Sequence, residues 1–226
     1  MPSQSDLRYS FQPLVGNAEF EVVSFELREG ISTPFELELK LISFENDIDF
    51  GHLLDKPVLF TIWEAERPVR YVHGLVSRFS QAESGSYRTY YHTLVEPQLA
   101  RANLRSNWRI FQQKTVPQIL ELMLQRQGIN QYELRASMDH QVREFCVQAG
   151  ETDLAFIARI AAEEGFVYPG RYKRDAVGKP FTDNRITALR HDVRNAEVQG
   201  EDVRLQPGLS FTLTGHPRDN LNTPRQ

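Results

Sequence analysis

The chain has 226 residues, of which 40% are apolar and 25% charged, which is enough to bury a core without disulfides or structural metals. A formal charge of −4 and a pI near 5.9 argue against a general nucleic-acid binder, and the single cysteine, Cys146, excludes an intrachain disulfide framework. No secretory signal is expected, because no basic region precedes an apolar run, and no stretch approaches the length of a membrane span. These features favour folding in a reducing cytoplasm.

The charge is unevenly distributed between the two halves of the chain. Residues 1–100 contain 8 Lys+Arg and 15 Asp+Glu, whereas residues 101–226 contain 18 and 15. Two interpretations are open: separate faces that meet oppositely charged partners, or ordinary solvated surface charge.

Residues 1–97 are predicted to form an antiparallel β-barrel. The segment from Phe35 to Leu41 alternates strictly between apolar and charged residues, as expected of a half-buried strand. Similar extended runs cover residues 20–27, 57–63 and 69–79, and a turn at Gly85 leads into a strand from Tyr87 to Val95. Several short strands at this spacing favour a sandwich or a barrel, and a closed barrel leaves few strand edges exposed.

Residues 98–167 are predicted to form an α/β middle segment, which begins with a capped helix. Thr115 and Gln118 have the spacing of a capping box, in which each side chain satisfies a backbone donor of the other residue. The helix is predicted to end at Gly128. Its apolar face contains Val116, Ile119, Leu120 and Met123.

A strand and a second helix complete this segment. The alternation from Arg143 to Gln148 predicts a strand, which a turn at Ala149-Gly150 would end. Thr152 or Asp153 is expected to cap the helix, and Gly165 is expected to close it. The apolar residues of this helix recur on one face at Leu154, Ile157, Ile160 and Ala161, and extended chain is expected to resume from Phe166 to Tyr168.

Residues 168–226 are less regular. The segment 168–180 is basic and rich in turn-forming residues, which indicates an exposed loop. Thr182 or Asp183 is predicted to cap a helix with Ile186, Leu189 and Val193 on one face. A strand from Leu209 to Leu213 is predicted after the turn at Pro207-Gly208.

The sequence predicts no catalytic, cofactor-binding or metal-binding residues. Glu163 and Glu164 are adjacent acids, but neighbours on a helix point about 100° apart and do not converge on one substrate bond. The segment from Asp47 to Gly51 begins like a calcium loop, but its glycine comes one position early, so a surface turn is expected. Cys146 is expected to be a small buried hydrophobe.

The histidines are scattered and lack the short spacings of metal ligands. Two of them, His73 and His92, fall on adjacent predicted strands, where we expect half-buried, hydrogen-bonded side chains. The full set is His52, His73, His92, His140, His191 and His216.

Seven short segments occur in a specific order along the chain. They are Val72-His-Gly-Leu-Val-Ser-Arg-Phe, Tyr91-His-Thr-Leu-Val-Glu-Pro-Gln-Leu, Arg109-Ile-Phe-Gln, the capped helix with Ile119-Leu120, Arg143-Glu-Phe through Glu151-Thr-Asp to Glu163-Glu-Gly, Tyr168-Pro-Gly-Arg-Tyr, and Pro207-Gly-Leu-Ser-Phe-Thr-Leu-Thr-Gly-His-Pro. Each is weak alone, but together they resemble the N-terminal, hub-like domain of the VgrG family, the tip proteins of type VI secretion systems.

This resemblance implies a fold like the baseplate hub of contractile phage tails, with two antiparallel β-barrels per chain and an α/β segment between them. Three chains would form a ring of six barrels, able to seat the hexameric tube protein Hcp. The resemblance also implies contacts with baseplate components and a possible effector cargo. The chain would act as a structural part without enzymatic activity, cofactor, nucleic-acid binding or membrane insertion, and the secretion machine would export it from the cytoplasm.

The chain departs from the family at two places. In the family, a long part of the second barrel separates the Glu-Glu-Gly-Phe-Val-Tyr segment from Tyr-Pro-Gly-Arg-Tyr, whereas here both share Tyr168. Residues 168–226 would therefore hold only the remaining part of the second barrel, with one helix. The family also continues into a β-helical spike, and nothing of that kind follows Gln226 in this sequence.

Two alternatives to a type VI hub remain open at this point. One is the hub of a phage tail or a related contractile injection device, which would share the same fold. The other is a hydrolytic enzyme that uses Glu163 or Glu164 with a nearby histidine.

Overall fold

The computed structural model of the protein describes residues 7–85, 87–130, 132–135 and 139–168, together with residues 205, 211–212, 214 and 224–225. Residues 7–96 and residues 97–168 belong to two separate compact units. Among the described residues the fold is mainly β, with two α-helices in the second unit.

Six antiparallel strands form the first unit. They are β1 Leu7–Pro13, β2 Phe20–Gly30, β3 Thr33–Ser43, β4 Pro57–Glu64, β5 Arg67–Ser84 and β6 Thr89–Glu96. They pair in the order β1-β2-β3-β6-β5-β4, and β4 returns to β1 to close the barrel. Strand β1 pairs with β4 along its whole length, but with β2 only where Ser10 lies opposite Glu21 and Phe11 opposite Phe20.

The barrel core follows from the alternation of β3. Its Phe and Leu residues are buried, and Glu36, Glu38 and Lys40 face water, as predicted. Aromatic side chains form part of this core. Tyr91 stacks on Phe79 with ring centroids 5.2 Å apart, and the Tyr91 hydroxyl donates to the Glu45 carbonyl at 2.9 Å. Burial raises the pKa of Tyr91.

Gly74 in β5 is required by a close approach of neighbouring atoms. A Cβ at this position would lie 2.7 Å from the Glu96 carbonyl oxygen, 2.7 Å from Val95 Cγ1 and 3.0 Å from Phe35 Cζ. Real Cβ atoms do not approach other heavy atoms so closely, so only glycine fits here without displacing the strand. This contact explains the glycine of the His-Gly-Leu-Val segment.

The second unit consists of an antiparallel hairpin and two helices packed on one of its faces. The hairpin strands are β7 Ser106–Lys114 and β8 Arg143–Thr152, and the helices are α1 Val116–Arg126 and α2 Asp153–Glu163. A 3-10 helix, Gln98–Leu104, precedes β7. Phe111 of β7 stacks on Phe156 of α2 with centroids 5.6 Å apart, and the core also contains Val116, Ile119, Met123, Cys146, Ile157 and Ile160.

Both predicted helix caps are present. Thr115 and Gln118 form the capping box of α1, with the Thr115 N–H donating to Gln118 Oε1 at 3.0 Å. Of the two candidate caps for α2, the structure uses Thr152, whose Oγ1 accepts from the Ala155 N–H at 3.1 Å. Gly128 and Gly165 follow their helices, as predicted, with φ of 70° and 73°, the left-handed conformation common after the last residue of a helix.

The predicted turn at Ala149-Gly150 is wrong, because β8 continues to Thr152. Trp108 lies opposite Ala149, whereas Ser106, two residues earlier, lies opposite Thr152, so β8 contains one extra residue. Gly150 has φ of 78° within this irregularity, as expected of a β-bulge. The glycine signal was correct, but it marks a bulge in a continuing strand.

From residue 166 to the end of the sequence, the structure describes only short segments. Phe166–Tyr168 belong to no strand. Within the predicted strand Leu209–Leu213, β9 Phe211–Thr212 pairs with β10 Pro224–Arg225. The predicted loop 168–180, apart from Tyr168, and the helix from Thr182 or Asp183 lie outside the described residues.

Candidate interaction surface and the predicted acidic pair

Glu163 and Glu164 stand at the C-terminal end of α2, where arginine binds both carboxylates. Arg143 Nη1 donates to Glu163 Oε2 at 2.6 Å, and its Nη2 donates to Glu164 Oε1 at 2.7 Å. Arg159 Nη1 also donates to Glu163, at 3.0 Å, and His140 Nδ1 lies 2.8 Å from Glu164 Oε2. The pair therefore fastens the beginning of β8 to the end of α2.

These contacts lower the pKa of both carboxyl groups. The hydrogen bond from Arg143, aided by Arg159, lowers the pKa of Glu163. Burial raises the pKa of Glu164, but hydrogen bonds from His140 and Arg143 outweigh it, so the net pKa is lowered. A general acid acting near neutral pH requires a raised pKa, so this arrangement favours a structural ion pair over acid catalysis.

A buried hydrogen-bond network centres on Asp153, the first residue of α2, which is 1% exposed. Its Oδ1 accepts from Arg109 Nη1 at 2.9 Å, Gln148 Nε2 at 2.8 Å and Asn107 Nδ2 at 3.2 Å. Its Oδ2 accepts from Gln127 Nε2 at 2.9 Å. One carboxylate thus joins β7, β8, α2 and the end of α1.

The sequence did not predict this network, although Arg109 and Asp153 both lie in motif segments that the sequence analysis quotes. Arg109 has the same parity along β7 as buried Phe111, and a charged residue on an inner strand face requires a buried partner. The position of Arg109 on the same side of β7 as Phe111 was the sequence feature that could have predicted a buried partner for it. Protein donors bind both carboxylate oxygens of Asp153, so the network joins the elements of the second unit to one another.

The titratable residues considered for metal binding do not converge. In the described part of the chain, no group of three or more His, Cys, Asp or Glu side chains could hold a metal ion. His73 is half-buried as predicted, but the prediction for His92 is wrong, since it lies on the exposed side of β6 opposite Lys40. Cys146 is buried, and His191 and His216 lie outside the described residues.

The segment from Asp47 to Gly51 is the surface turn that the sequence predicts. Asp49 Oδ1 accepts from the Gly51 N–H at 2.8 Å and caps the short 3-10 helix Phe50–His52. The turn borders an open depression of about 280 Å³ that also includes Val15 and Glu45.

The solvent-facing side of the β7–β8 hairpin carries four large apolar side chains. Trp108 is 79% exposed, Ile110 66%, Phe145 56% and Val147 44%. Ile110 lies directly opposite Val147, and the register places all four residues on one side of the sheet. We call this set the apolar hairpin face. The alternation of β8 assigned Phe145 and Val147 to one side but did not show that this side faces outward.

Within the part of the chain that the structure describes, no helix is both long enough and apolar enough to cross a membrane.

The sequence profile of the phage tail baseplate hub (GPD) family matches residues 28–168 and residues 166–225. The two matches meet at residues 166–168, at the position of the Tyr168 junction. Together they include most of the chain.

Characterised relatives are spike proteins of type VI secretion systems. VgrG2b of Pseudomonas aeruginosa is 36% identical over 311 aligned positions, which cover 97% of this chain and 30% of the relative. VgrG2a of the same organism is also 36% identical, with 97% of this chain and 37% of the relative covered. The chain thus spans about a third of the length of these relatives. Because 311 aligned positions exceed its 226 residues, VgrG2b has at least 85 positions without a counterpart here.

A solved structure shows the same fold. The E. coli c3393 protein is a component of the type VI secretion system with structural similarity to the T4 bacteriophage tail proteins gp27 and gp5. It superposes with a TM-score of 0.60 and 27% sequence identity, covering 68% of this chain and 43% of that chain. The chain therefore belongs to the phage tail baseplate hub (GPD) family, and within it is similar to the VgrG spike proteins of type VI secretion systems.

Proposed function

We propose that the chain is a structural hub subunit of a type VI secretion tip complex. Three copies form the base of a spike that caps the Hcp tube, contacts baseplate components and can carry an effector. The complex assembles in the cytoplasm and is exported with the tube. The observation that carries this proposal is the 36% identity to VgrG spike proteins across 97% of the chain.

The geometry of the first unit supports such a role. A closed barrel satisfies its backbone hydrogen bonds internally and presents a rigid outer surface made of side chains. A cyclic arrangement of three subunits closes on itself instead of growing into a fibre. We place the first barrel in residues 1–97, the α/β segment in 98–167 and the remainder of the second barrel in 168–226.

The state of the candidate acids supports a role without catalysis. Arginine binds Glu163 and Glu164, and their lowered pKa values keep them ionised at neutral pH. We propose no catalytic, cofactor-binding or metal-binding residue for this chain.

Binding of the purified chain to Hcp of the same organism tests the proposal. We expect the chain to bind tube ends, so that electron micrographs of mixed samples show Hcp tubes capped at one end. Analytical ultracentrifugation of the chain alone is expected to show a monomer–trimer equilibrium. A chain that binds neither tube ends nor other copies of itself would contradict the proposal. Deleting the gene should also abolish release of Hcp into the medium, and a plasmid copy should restore it.

A second candidate function is the hub of a phage tail or another contractile injection device. The family profile and the similarity of the c3393 protein to T4 tail proteins favour keeping it. Binding to a phage tail-tube protein, with no binding to Hcp, would support this candidate over the first.

A further inference from the structure

The six-stranded barrel has one weakly paired joint, which lies between β1 and β2. These strands pair only through Ser10 and Phe11 of β1, which face the first two residues of β2. In the described part of the chain, residues 7–9 of β1 and residues 22–30 of β2 have no backbone pairing across this joint. We call this unpaired part the barrel seam. It lies at the end of the barrel where β1, β3 and β5 begin and where β2, β4 and β6 end.

Aromatic side chains fill the barrel seam. The rings of Tyr9 and Phe25 meet edge to face with centroids 4.9 Å apart, and the buried Phe60 of β4 lies 4.9 Å from Phe25. Ring contacts can separate without breaking a backbone hydrogen bond. Strand β2 is therefore held less firmly along the seam than on its other side, where it pairs with β3 as far as Gly30.

An ion pair crosses the barrel interior at the same end. Arg70 Nη2 donates to Glu29 Oε2, and the two side chains are 8% and 10% exposed. Glu29 is the next-to-last residue of β2, and Arg70 is close to the start of β5. Strands β2 and β5 stand three places apart in the ring of six, so they form opposite walls of the barrel. The ion pair therefore links the end of β2 to the wall that faces it.

The need to fill the core does not explain this ion pair. Two charges are costly to desolvate, and apolar residues of similar volume often stabilise a protein at least as well. The pair supplies a link between two strands that are not neighbours in the sheet. Arg70 Nη1 also lies 3.5 Å from the Leu205 carbonyl oxygen, so replacing Glu29 tests the link more selectively than replacing Arg70.

We propose that the first unit opens locally at the barrel seam and that the Glu29–Arg70 ion pair keeps the seam closed. Opening here separates ring contacts and one ion pair, while the pairing of β2 with β3 stays intact. Opening between β1 and β4 would instead break pairing along the whole of β1. Segments with few backbone hydrogen bonds open at the lowest free energy, so the seam opens before the other joints of the ring.

Thiol labelling at two buried positions of β5 tests the proposal. Val72 and Val76 are 3% and 0% exposed and belong to the barrel core, but Val72 is two residues from Arg70 and Val76 lies further from the seam end. Each is replaced by cysteine in a Cys146→Ala background, so that the reagent reports on one site. We expect Val72→Cys to be labelled at least about tenfold faster than Val76→Cys, because local opening exposes the seam end first.

Glu29→Gln distinguishes a link at the seam from general stabilisation of the barrel. The substitution keeps the shape of the side chain and removes the charge that compensates Arg70. We expect it to accelerate labelling at position 72 by at least about tenfold and to change labelling at position 76 by less than about twofold.

Arg28→Gln is the matched control. Arg28 belongs to the same strand and forms ion pairs with Glu26 and Glu36, but its side chain is 55% exposed. Ion pairs in water contribute little to stability, so we expect both labelling rates to stay unchanged. Far-ultraviolet circular dichroism of each variant should match that of the parent chain.

Three results would overturn the proposal. One is equal labelling of the two cysteines with the ion pair intact, a comparison that needs no folded Glu29 variant. Another is equal acceleration at both positions by Glu29→Gln, because the ion pair would then stabilise the barrel as a whole. The third is unchanged labelling at position 72 in the same variant, because the seam would then stay closed without the ion pair.

Discussion

Arg109 and the buried Asp153 form an ion pair across 44 residues of sequence, with Nη1 of the arginine 2.9 Å from Oδ1 of the aspartate. Asp153 also accepts hydrogen bonds from the side-chain amides of Gln148 and Gln127. Removal of the carboxylate would therefore leave these two amides and the Arg109 guanidinium without this acceptor. We therefore expect Asp153→Ala to destabilise the second unit by about 3–5 kcal/mol. Hydrogen exchange of the β7 and β8 amides measures this loss within the unit.

The control for this substitution is Asp49→Ala, which removes an exposed carboxylate that caps a single turn. Its cost should be about 1 kcal/mol and confined to the barrel. Equal costs for both substitutions would show that the buried network contributes no more than a surface cap.

The ion pairs at the end of α2 predict a specific pH dependence. Folding lowers the pKa of Glu163 and Glu164, so their stabilisation is complete above the ordinary carboxyl value of 4.5 and is lost as the pH falls through the lower folded-state values. Glu163→Gln should cost roughly 0.5–1 kcal/mol at neutral pH, because the pair is partly exposed, and should cost nothing below the folded-state pKa. Denaturant titrations from neutral pH to about pH 3 measure the difference. Glu144→Gln, at an exposed position of β8 next to Arg143, is the control and should show no such trend. A constant cost for Glu163→Gln would refute the ion-pair origin.

The close approach at Gly74 predicts a large effect of a single methyl group. Gly74→Ala places Cβ 2.7 Å from a backbone oxygen of β6, which cannot move without opening the barrel. We expect a loss of about 1–3 kcal/mol in the free energy of unfolding. Gly85→Ala is the matched control, since its Cβ would lie 3.4 Å from the nearest atom, and it should be close to neutral. Thermal melts followed by circular dichroism compare the two.

Alanine substitutions at two glycines of the second unit distinguish the steric effect of the Trp108 ring at the β8 bulge from the backbone strain of a positive φ. Gly128 and Gly150 have φ of 70° and 78°, so alanine is strained at both. At Gly128 the nearest atom to a Cβ is 3.5 Å away, whereas at Gly150 the Trp108 ring is 3.0 Å away. Gly128→Ala should cost about 1 kcal/mol. Gly150→Ala should cost more and should also shift Trp108 emission in the Trp63→Phe background, in which Trp108 is the only tryptophan; an unchanged spectrum would contradict the packing of the indole on this bulge.

The barrel strands could be predicted where one face is buried and the other faces solvent, because apolar and polar residues then alternate along the strand. Strand β3 is the clearest example. Strand β1 was missed, although Leu7, Tyr9 and Phe11 alternate in it with polar residues. Its shortness and its position at the start of the chain made the pattern weak, and only pairing with β4 defines it.

The second unit was harder to predict for two physical reasons. A glycine after a strand indicates a turn or a bulge equally well, and only the partner strand decides, as it does for Gly150. The Asp153 network joins residues that are distant in sequence, so no local period reveals it. The outward position of Phe145 could not be predicted either, because the buried face of β8 holds the polar Gln148 beside Cys146, whereas the exposed face holds Phe145 and Val147.

The pairing of β1 with β4 has a consequence for synthesis on the ribosome. Strand β1 emerges first, but its main partner is complete only at Glu64, and the ring closes only when β6 ends at Glu96. Non-local pairing of this kind is slow and leaves apolar strands exposed until it is achieved. A nascent chain shorter than this length leaves the Phe and Leu side chains of β3 exposed to water, so the barrel core is sealed only after Glu96 has left the ribosome.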